Sequence, residues 1–160
     1  MTTKVQTTKI ETCLAALGHV LPEPRPPIAS FLPYTIQGSM VFVSGQLPMG
    51  PDGLLYIGKL GQEISLEDGR KAAELCTLNI LAQLKAAGGG KLDVLRRCLR
   101  LGVFVNATPD FTDHPEVANG ASDLLVAVLG EDGKHARAAL GVSSLPRGVA
   151  VEVEGLFEIF

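Results

Sequence analysis

The run HARAALGVSSLPRGVAVEVEG, residues 135 to 155, holds the residue types of this chain best suited to chemistry. Arg137 supplies a planar, permanently charged fork that can take a carboxylate in two parallel hydrogen bonds. Glu152 and Glu154 supply carboxylates, and a carboxylate whose pKa is raised by burial can accept a proton from water near neutral pH. Around them stand residues as small as Ala139 and Gly141. The alternation reads as a β-hairpin turning at Leu145-Pro146-Arg147-Gly148, with Ser144 facing Val149. In that register Ala138, Leu140, Val142, Val151, Val153, Gly155 and Phe157 share a core face, while Arg137, Ala139, Gly141, Glu152 and Glu154 share the other. Glu152 then faces Gly141, roughly 13 Å along the strand from Arg137. A solvated strand face explains any one of these charges taken alone, so the pattern leaves that reading and a ligand shelf both open.

The elements that must position these residues are legible as hydrophobic periodicity. TKIETCLAALG, 8 to 18, sets Ile10, Leu14 and Leu17 on one face of a short helix that Gly18 ends. LPEPRPPIAS packs four prolines into ten residues and reads as an extended connector. MVFVSGQL, 40 to 47, alternates as a strand, and the GPDG turn at 50 to 53 returns the chain as a second one, LLYIG. Ser65 caps a helix whose stripe is Ala72, Leu75, Cys76, Asn79, Ile80 and Leu84, stopped by Gly88 to Gly90. In the strand at 95 to 107, Leu99, Leu101, Val103 and Val105 face one way, and Cys98, Arg100, Gly102, Phe104 and Asn106 the other. A second helix, 113 to 129, buries Val117, Ala121, Leu124, Leu125 and Val128. The order is that of an α+β fold with helices on one face of a sheet. The other face, with Phe42, Ser44, Gln46, Arg100 and Phe104, is neither plainly solvent-like nor plainly core-like, which suggests cover by another chain.

Composition narrows the function classes. With 160 residues, 46% of them apolar, the chain has the size of one domain with a full core. A net charge of −3 gives no electrostatic footprint for nucleic acid. No apolar run is long enough to span a membrane and the N-terminus lacks a signal-peptide core, so the expected location is cytoplasmic, with no membrane partner. Cys13, Cys76 and Cys98 lie far apart with no metal-ligand spacing. They read as reduced, packed thiols, and no metal site is expected.

Four pieces of sequence then point the same way. They are Pro33-Tyr34 before the first strand, VSGQLP at 43 to 48, Asn119 in the second helix, and the ending Ala136-Arg137 … Leu145-Pro146 … Val151-Glu152-Val153-Glu154. In these the chain resembles the YjgF / RidA family, the reactive intermediate deaminases, in a longer subgroup. The resemblance covers residues 31 to 160 as a RidA-like domain and leaves residues 1 to 30 as an N-terminal helix and Pro-rich extension. It implies a chorismate-mutase-like α+β subunit, a mixed β-sheet with two main helices packed on one face, assembled as a homotrimer with ligand clefts between subunits. It also implies hydrolysis of enamines or imines of small carboxylic acids to a 2-keto acid and ammonia, without cofactor or metal. On that footing Arg137 anchors the substrate carboxylate, Glu152 is catalytic and orients a water, and Tyr34 and Asn119 line the cleft. Two departures stand beside it. The family's deaminases commonly carry a cysteine two positions after the arginine, where this chain has Ala139, and Gly133-Lys134-His135 replaces the usual lead-in. Ala139 keeps open a second reading, a non-catalytic trimeric binding module for small carboxylates. His135, beside Lys134, reads as solvated.

Overall fold

The computed structural model of the chain describes residues 8 to 27 and 29 to 160. In chain order the elements are α1 (Lys9–Ala16), β1 (Tyr34–Gln37), β2 (Met40–Gln46), the two-residue strands β3 (Met49–Gly50) and β4 (Gly53–Leu54), α2 (Leu66–Ala87), β5 (Leu95–Asn106), α3 (His114–Leu129), β6 (Ala136–Val142) and β7 (Val151–Ile159). The main sheet runs β1-β2-β7-β5-β6, and β3 and β4 form a ribbon of their own. Every neighbouring pair in the main sheet is antiparallel except β5 and β6, which are parallel. This is a mixed α+β fold of the expected class.

Local chemistry sets the helix ends. The Ser65 hydroxyl accepts from the Asp68 amide at 3.1 Å, and Glu67 and Asp68 place negative charge in the first turn of α2, where the helix dipole favours it. Gly88 closes that helix. Thr8 and Glu11 form a reciprocal capping box on α1. The stripes of α2 and α3 then pack on Val41, Val43, Leu101, Val103, Val105, Val151, Val153 and Phe157, all in one core. Ile10 and Leu14 of α1 join that same core, whereas Leu17, expected on the same face, is 49% exposed. The Cys13 thiol donates to the Ala127 carbonyl, and the Gln83 side chain donates to the Arg25 carbonyl, so the extension lies along α3 and α2. No helix among the described residues is long and apolar enough to cross a membrane.

Several expectations change. β1 adds a strand that the sequence pattern does not mark, and the return strand after GPDG shrinks to Gly53–Leu54. Cys98 faces the core opposite Phe157 because irregularities in the β5–β7 register on both sides of it shift the alternation. Burial pushes its thiol up to about 12, and that of Cys76 up as well.

The largest correction concerns the ending, which is not a hairpin. β6 pairs with β5 and β7 runs down the other side of β5. The expected turn at Leu145-Pro146-Arg147-Gly148 does form, with the Gly148 amide donating to the Leu145 carbonyl at 3.0 Å, but it does not join two paired strands. Residues 146 to 150 are fixed against the segment after β4, where the Gly58 and Ala150 amides donate to the Gly148 and Tyr56 carbonyls at 2.8 Å each. The faces of β6 are therefore reversed: Arg137, Ala139 and Gly141 pair with the buried Leu101, Val103 and Val105, while Leu140 is 53% exposed.

The two main helices meet at Gly120, where a Cβ would lie 2.1 Å from the Arg70 carbonyl oxygen. Alanine in a helix gains up to about 1 kcal/mol over glycine. A clash with main chain that cannot swing away costs about 1–3 kcal/mol and should win. Gly120→Ala is expected to lower the urea midpoint by a net ~1–2 kcal/mol equivalent, with the m-value unchanged.

Candidate functional site

Arg137 lies at the start of β6, facing α3. Its Nη1 donates to Asn119 Oδ1 at 2.9 Å and to Ser122 Oγ at 3.1 Å. Residues 119 and 122 are three apart on one helix face, so both side chains reach the same point. No carboxylate among the described residues lies within salt-bridge distance of the guanidinium, which is half-buried and held by neutral oxygens alone. Charge-assisted bonds to neutral acceptors fix a cation without cancelling its charge, so it stays available to an anion.

His135 belongs to this cluster, contrary to the expectation of a solvated ring. It is half-buried, its Nε2 lies 2.9 Å from Ser122 Oγ, and its Nδ1 lies 2.6 Å from the Gly133 carbonyl oxygen. Burial first, and then the charge of Arg137, hold its pKa below the ordinary histidine range. Lys134 turns outward to Glu131 instead. Ser122 carried no signal of its own in the sequence beyond its spacing from Asn119.

Glu152 lies on the opposite face of the sheet. It pairs with Phe104, whose β6 partner is the exposed Leu140. Burial, reinforced by the neighbouring Glu154 carboxylate, raises its pKa above the ordinary value of 4.5. Gly45 makes its position feasible, since a Cβ there would sit 2.0 Å from Glu152 Oε1. Glu154 instead points toward Arg100, at 3.8 Å. The same face exposes Phe42 (45%) and Leu140.

Tyr34 opens β1, at the far edge of the sheet from β6, where it packs on the core opposite Val43. Three strands separate β1 from β6, so Tyr34 and Arg137 stand roughly 19 Å apart across the sheet at the usual strand spacing. The fold of one chain thus brings Arg137, Asn119, Ser122 and His135 together and leaves Glu152 and Tyr34 elsewhere. The shelf of small residues beside Arg137 is partly filled. His114 lies on Gly141, where a Cβ would be 2.4 Å from its Nε2, and packs edge-on against Phe111. Beyond Gly141 a cavity of about 670 Å³ opens, lined by Lys59, Thr108, Phe111, His114 and Ser143 among others. No group of three or more metal-ligating side chains occurs among the described residues.

Comparison with known proteins adds the following. Residues 11–154 match the family described as "YjgF/chorismate_mutase-like, putative endoribonuclease". The chain is 43% identical over 152 residues to Protein TCP17 of Trypanosoma cruzi, an alignment covering 94% of each. The crystal structure of Atu1372 from Agrobacterium tumefaciens, a protein of unknown function, matches with a TM-score of 0.90 at 44% identity, over 95% of this chain and 93% of that one. RidA from an Antarctic Psychrobacter matches with a TM-score of 0.60 at 27% identity, over 88% and 97%.

The raised carboxyl of Glu152 has a thermodynamic consequence. A group whose folded-state pKa exceeds its unfolded value stabilises the fold fully below the unfolded pKa, and that contribution is lost as pH rises through the folded one. The contribution of Glu152 to stability should therefore fall as pH climbs above 4.5 and level off once it is ionised. Glu152→Gln is expected to be more stable than the parent at pH 7, with the gap closing toward pH 4, in urea titrations across that range.

Proposed function

The chain belongs to the YjgF/chorismate mutase-like family, to which RidA also belongs, and from that membership we propose that it is a hydrolytic deaminase of imines or enamines of small carboxylic acids. The observation that carries this reading is Arg137, half-buried, fixed by Asn119 and Ser122, and with no carboxylate partner among the described residues. Such a group is built to receive a carboxylate from outside the protomer.

The chemistry asks for little else. With the substrate carboxylate on Arg137, a water adds to the imine carbon and forms the C–O bond, while Glu152 takes the water proton. Glu152 returns that proton to the nitrogen to give the carbinolamine; the hydroxyl proton then passes to the amino group as the C–N bond breaks, so ammonia leaves and the 2-keto acid remains. An enamine first gains a proton at its β-carbon. The raised pKa of Glu152 suits a base working near neutrality. No cofactor enters these steps.

Because Arg137 and Glu152 occupy opposite faces of one sheet, the site requires two copies of the chain. A homotrimer closed around the non-helix faces would bury Phe42 and Leu140 and bring Glu152 and Tyr34 of one copy toward Arg137 of the next. The exposed apolar residues of that face support the arrangement.

Ala139 favours a second reading, a non-catalytic trimer that holds small carboxylates. RNA cleavage, the activity named in the family's description, suits this chain less well: its net charge is −3, and Arg96 and Arg100 on β5 pair with Glu158 and Glu154.

Protein supplied with 2-aminocrotonate generated in situ should release 2-oxobutanoate faster than the spontaneous rate. Glu152→Gln should lower kcat about 100-fold or more, and Arg137→Ala should act mainly by raising KM. If a trimeric sample gives no acceleration, the deaminase reading fails. The binding reading then stands or falls on thermal shift, where 2-oxobutanoate at a hundredfold its Kd should add about 2.7 kcal/mol, a gain lost in Arg137→Ala.

A further inference from the structure

We infer that His135, acting through Ser122, is a positioning residue for the anion anchor, and that Arg137 takes its carboxylate side-on through Nε and Nη2 rather than through its two terminal nitrogens. The inference rests on the reading of Arg137 as an anchor and specifies how that anchor is aimed.

The argument is a count of hydrogens. Nη1 of a guanidinium carries two, and here one goes to Asn119 Oδ1 and the other to Ser122 Oγ. The terminal fork of arginine needs one hydrogen from Nη1 and one from Nη2, so occupying Nη1 removes it. Nε and Nη2 have no acceptor among the described residues, and together they form the other edge that matches a carboxylate.

The direction of the next bonds follows from one fixed acceptor. A carbonyl oxygen only accepts, so the 2.6 Å contact to Gly133 places the hydrogen of a neutral His135 on Nδ1. Nε2 is then an acceptor and receives the Ser122 hydroxyl hydrogen at 2.9 Å. The Ser122 oxygen is left to accept from Arg137. The chain of donors therefore runs Arg137 to Ser122 to His135 to Gly133, each group committed to one role. Its far end is rigid, because Gly133 is buried against α3, where a Cβ would come 2.3 Å from the Leu125 carbonyl oxygen. His135 stands just before β6 and Arg137 is its second residue; two apart in extended chain, both reach toward α3. Without the imidazole, the Ser122 hydroxyl hydrogen is free to turn toward the guanidinium, which weakens the bond from Arg137 and leaves Asn119 as its one firmly fixed partner.

The test measures 2-oxobutanoate affinity by calorimetry together with side-chain NMR of Arg137. His135→Ala is expected to weaken binding about fivefold, the worth of one hydrogen bond, and Ser122→Ala by a similar factor. The double variant should be no weaker than Ser122→Ala alone, because the imidazole acts through that hydroxyl. His135→Gln, whose amide oxygen can accept from Ser122, should bind within about twofold of the parent, and it guards against a folding defect in the alanine variant. In the free protein the Nη1 hydrogens should give resolved signals that His135→Ala broadens. Ligand should then shift Nε–H and Nη2–H while Nη1 stays in place. Multiplying losses in the double variant, unchanged affinity in His135→Ala, or a ligand that displaces the Nη1 bonds would each overturn the proposal. Absence of any binding to the parent protein would instead overturn the anchor reading itself. The free-protein spectra would still decide whether His135 holds the guanidinium: unbroadened Nη1 signals in His135→Ala would overturn that hold.

Discussion

Seven residues of β6 run parallel to β5, and the side of the sheet on which Arg137 lies follows from that pairing. A parallel neighbour requires a crossover, and α3 is that crossover, packed on the face it spans. The helix and the strand it delivers are thus adjacent, which brings Asn119 and Ser122 within reach of the guanidinium. Had β6 folded back on β7, Arg137 would share a face with Glu152 and Glu154. An ion pair there would leave the cation less free for a ligand. Parallel pairing keeps the opposite charges apart by the thickness of a sheet and leaves the arginine to neutral acceptors.

The same constraint explains the glycines of the central strands. Two carboxylates stand on the non-helix face of β7, and each needs a neighbouring strand without a side chain beside it. Gly45 supplies the space for Glu152, and Gly102, where a Cβ would be 2.9 Å from Glu154 Oε1, supplies it for Glu154. The glycine of VSGQLP therefore has a local physical role, to admit a half-buried carboxyl whose charge is disfavoured by burial and by Glu154. The edges of the sheet, β1 and β6, carry Tyr34 and Arg137 respectively. A closed ring of copies is the arrangement in which groups at opposite edges and on opposite faces can converge.

Helical periodicity was readable because one repeat distance governs a whole element: the caps at Ser65 and Gly88 and the stripes of α2 and α3 stand where the pattern puts them. The strands were readable only in part. Strand alternation has a period of two, and a single irregularity reverses every residue beyond it, as at Cys98. The ending misled for a different reason. Alternation and a Leu-Pro-Arg-Gly turn are equally compatible with a hairpin and with two strands flanking a third, and the choice is made by β5 and the segment 56 to 58, distant in sequence. Of the candidate site, Arg137 and Asn119 stand out in the sequence, and the two side chains are hydrogen-bonded to each other. Ser122 and His135 were not, since a serine in a helix and a histidine beside a lysine acquire meaning only when the crossover sets them side by side.

The reversed face of β6 also recasts its small residues. Gly141 is not an empty shelf, because the His114 ring occupies the space a side chain would fill. Ala139 packs toward the core opposite Val103, on the same side as Arg137. In the proposed reaction a residue there would alter the shape of the cleft next to the carboxylate, but water addition, proton transfer to a carboxylate and loss of ammonia use no thiol at any step. The requirements are an immobilised anion, a base of raised pKa and the exclusion of competing charge. Under the proposed reading the first falls to Arg137 on one face and the second to Glu152 on the other, so the replacement at 139 would bear on which side chain the substrate has, whereas the meeting of two copies would bear on whether it turns over.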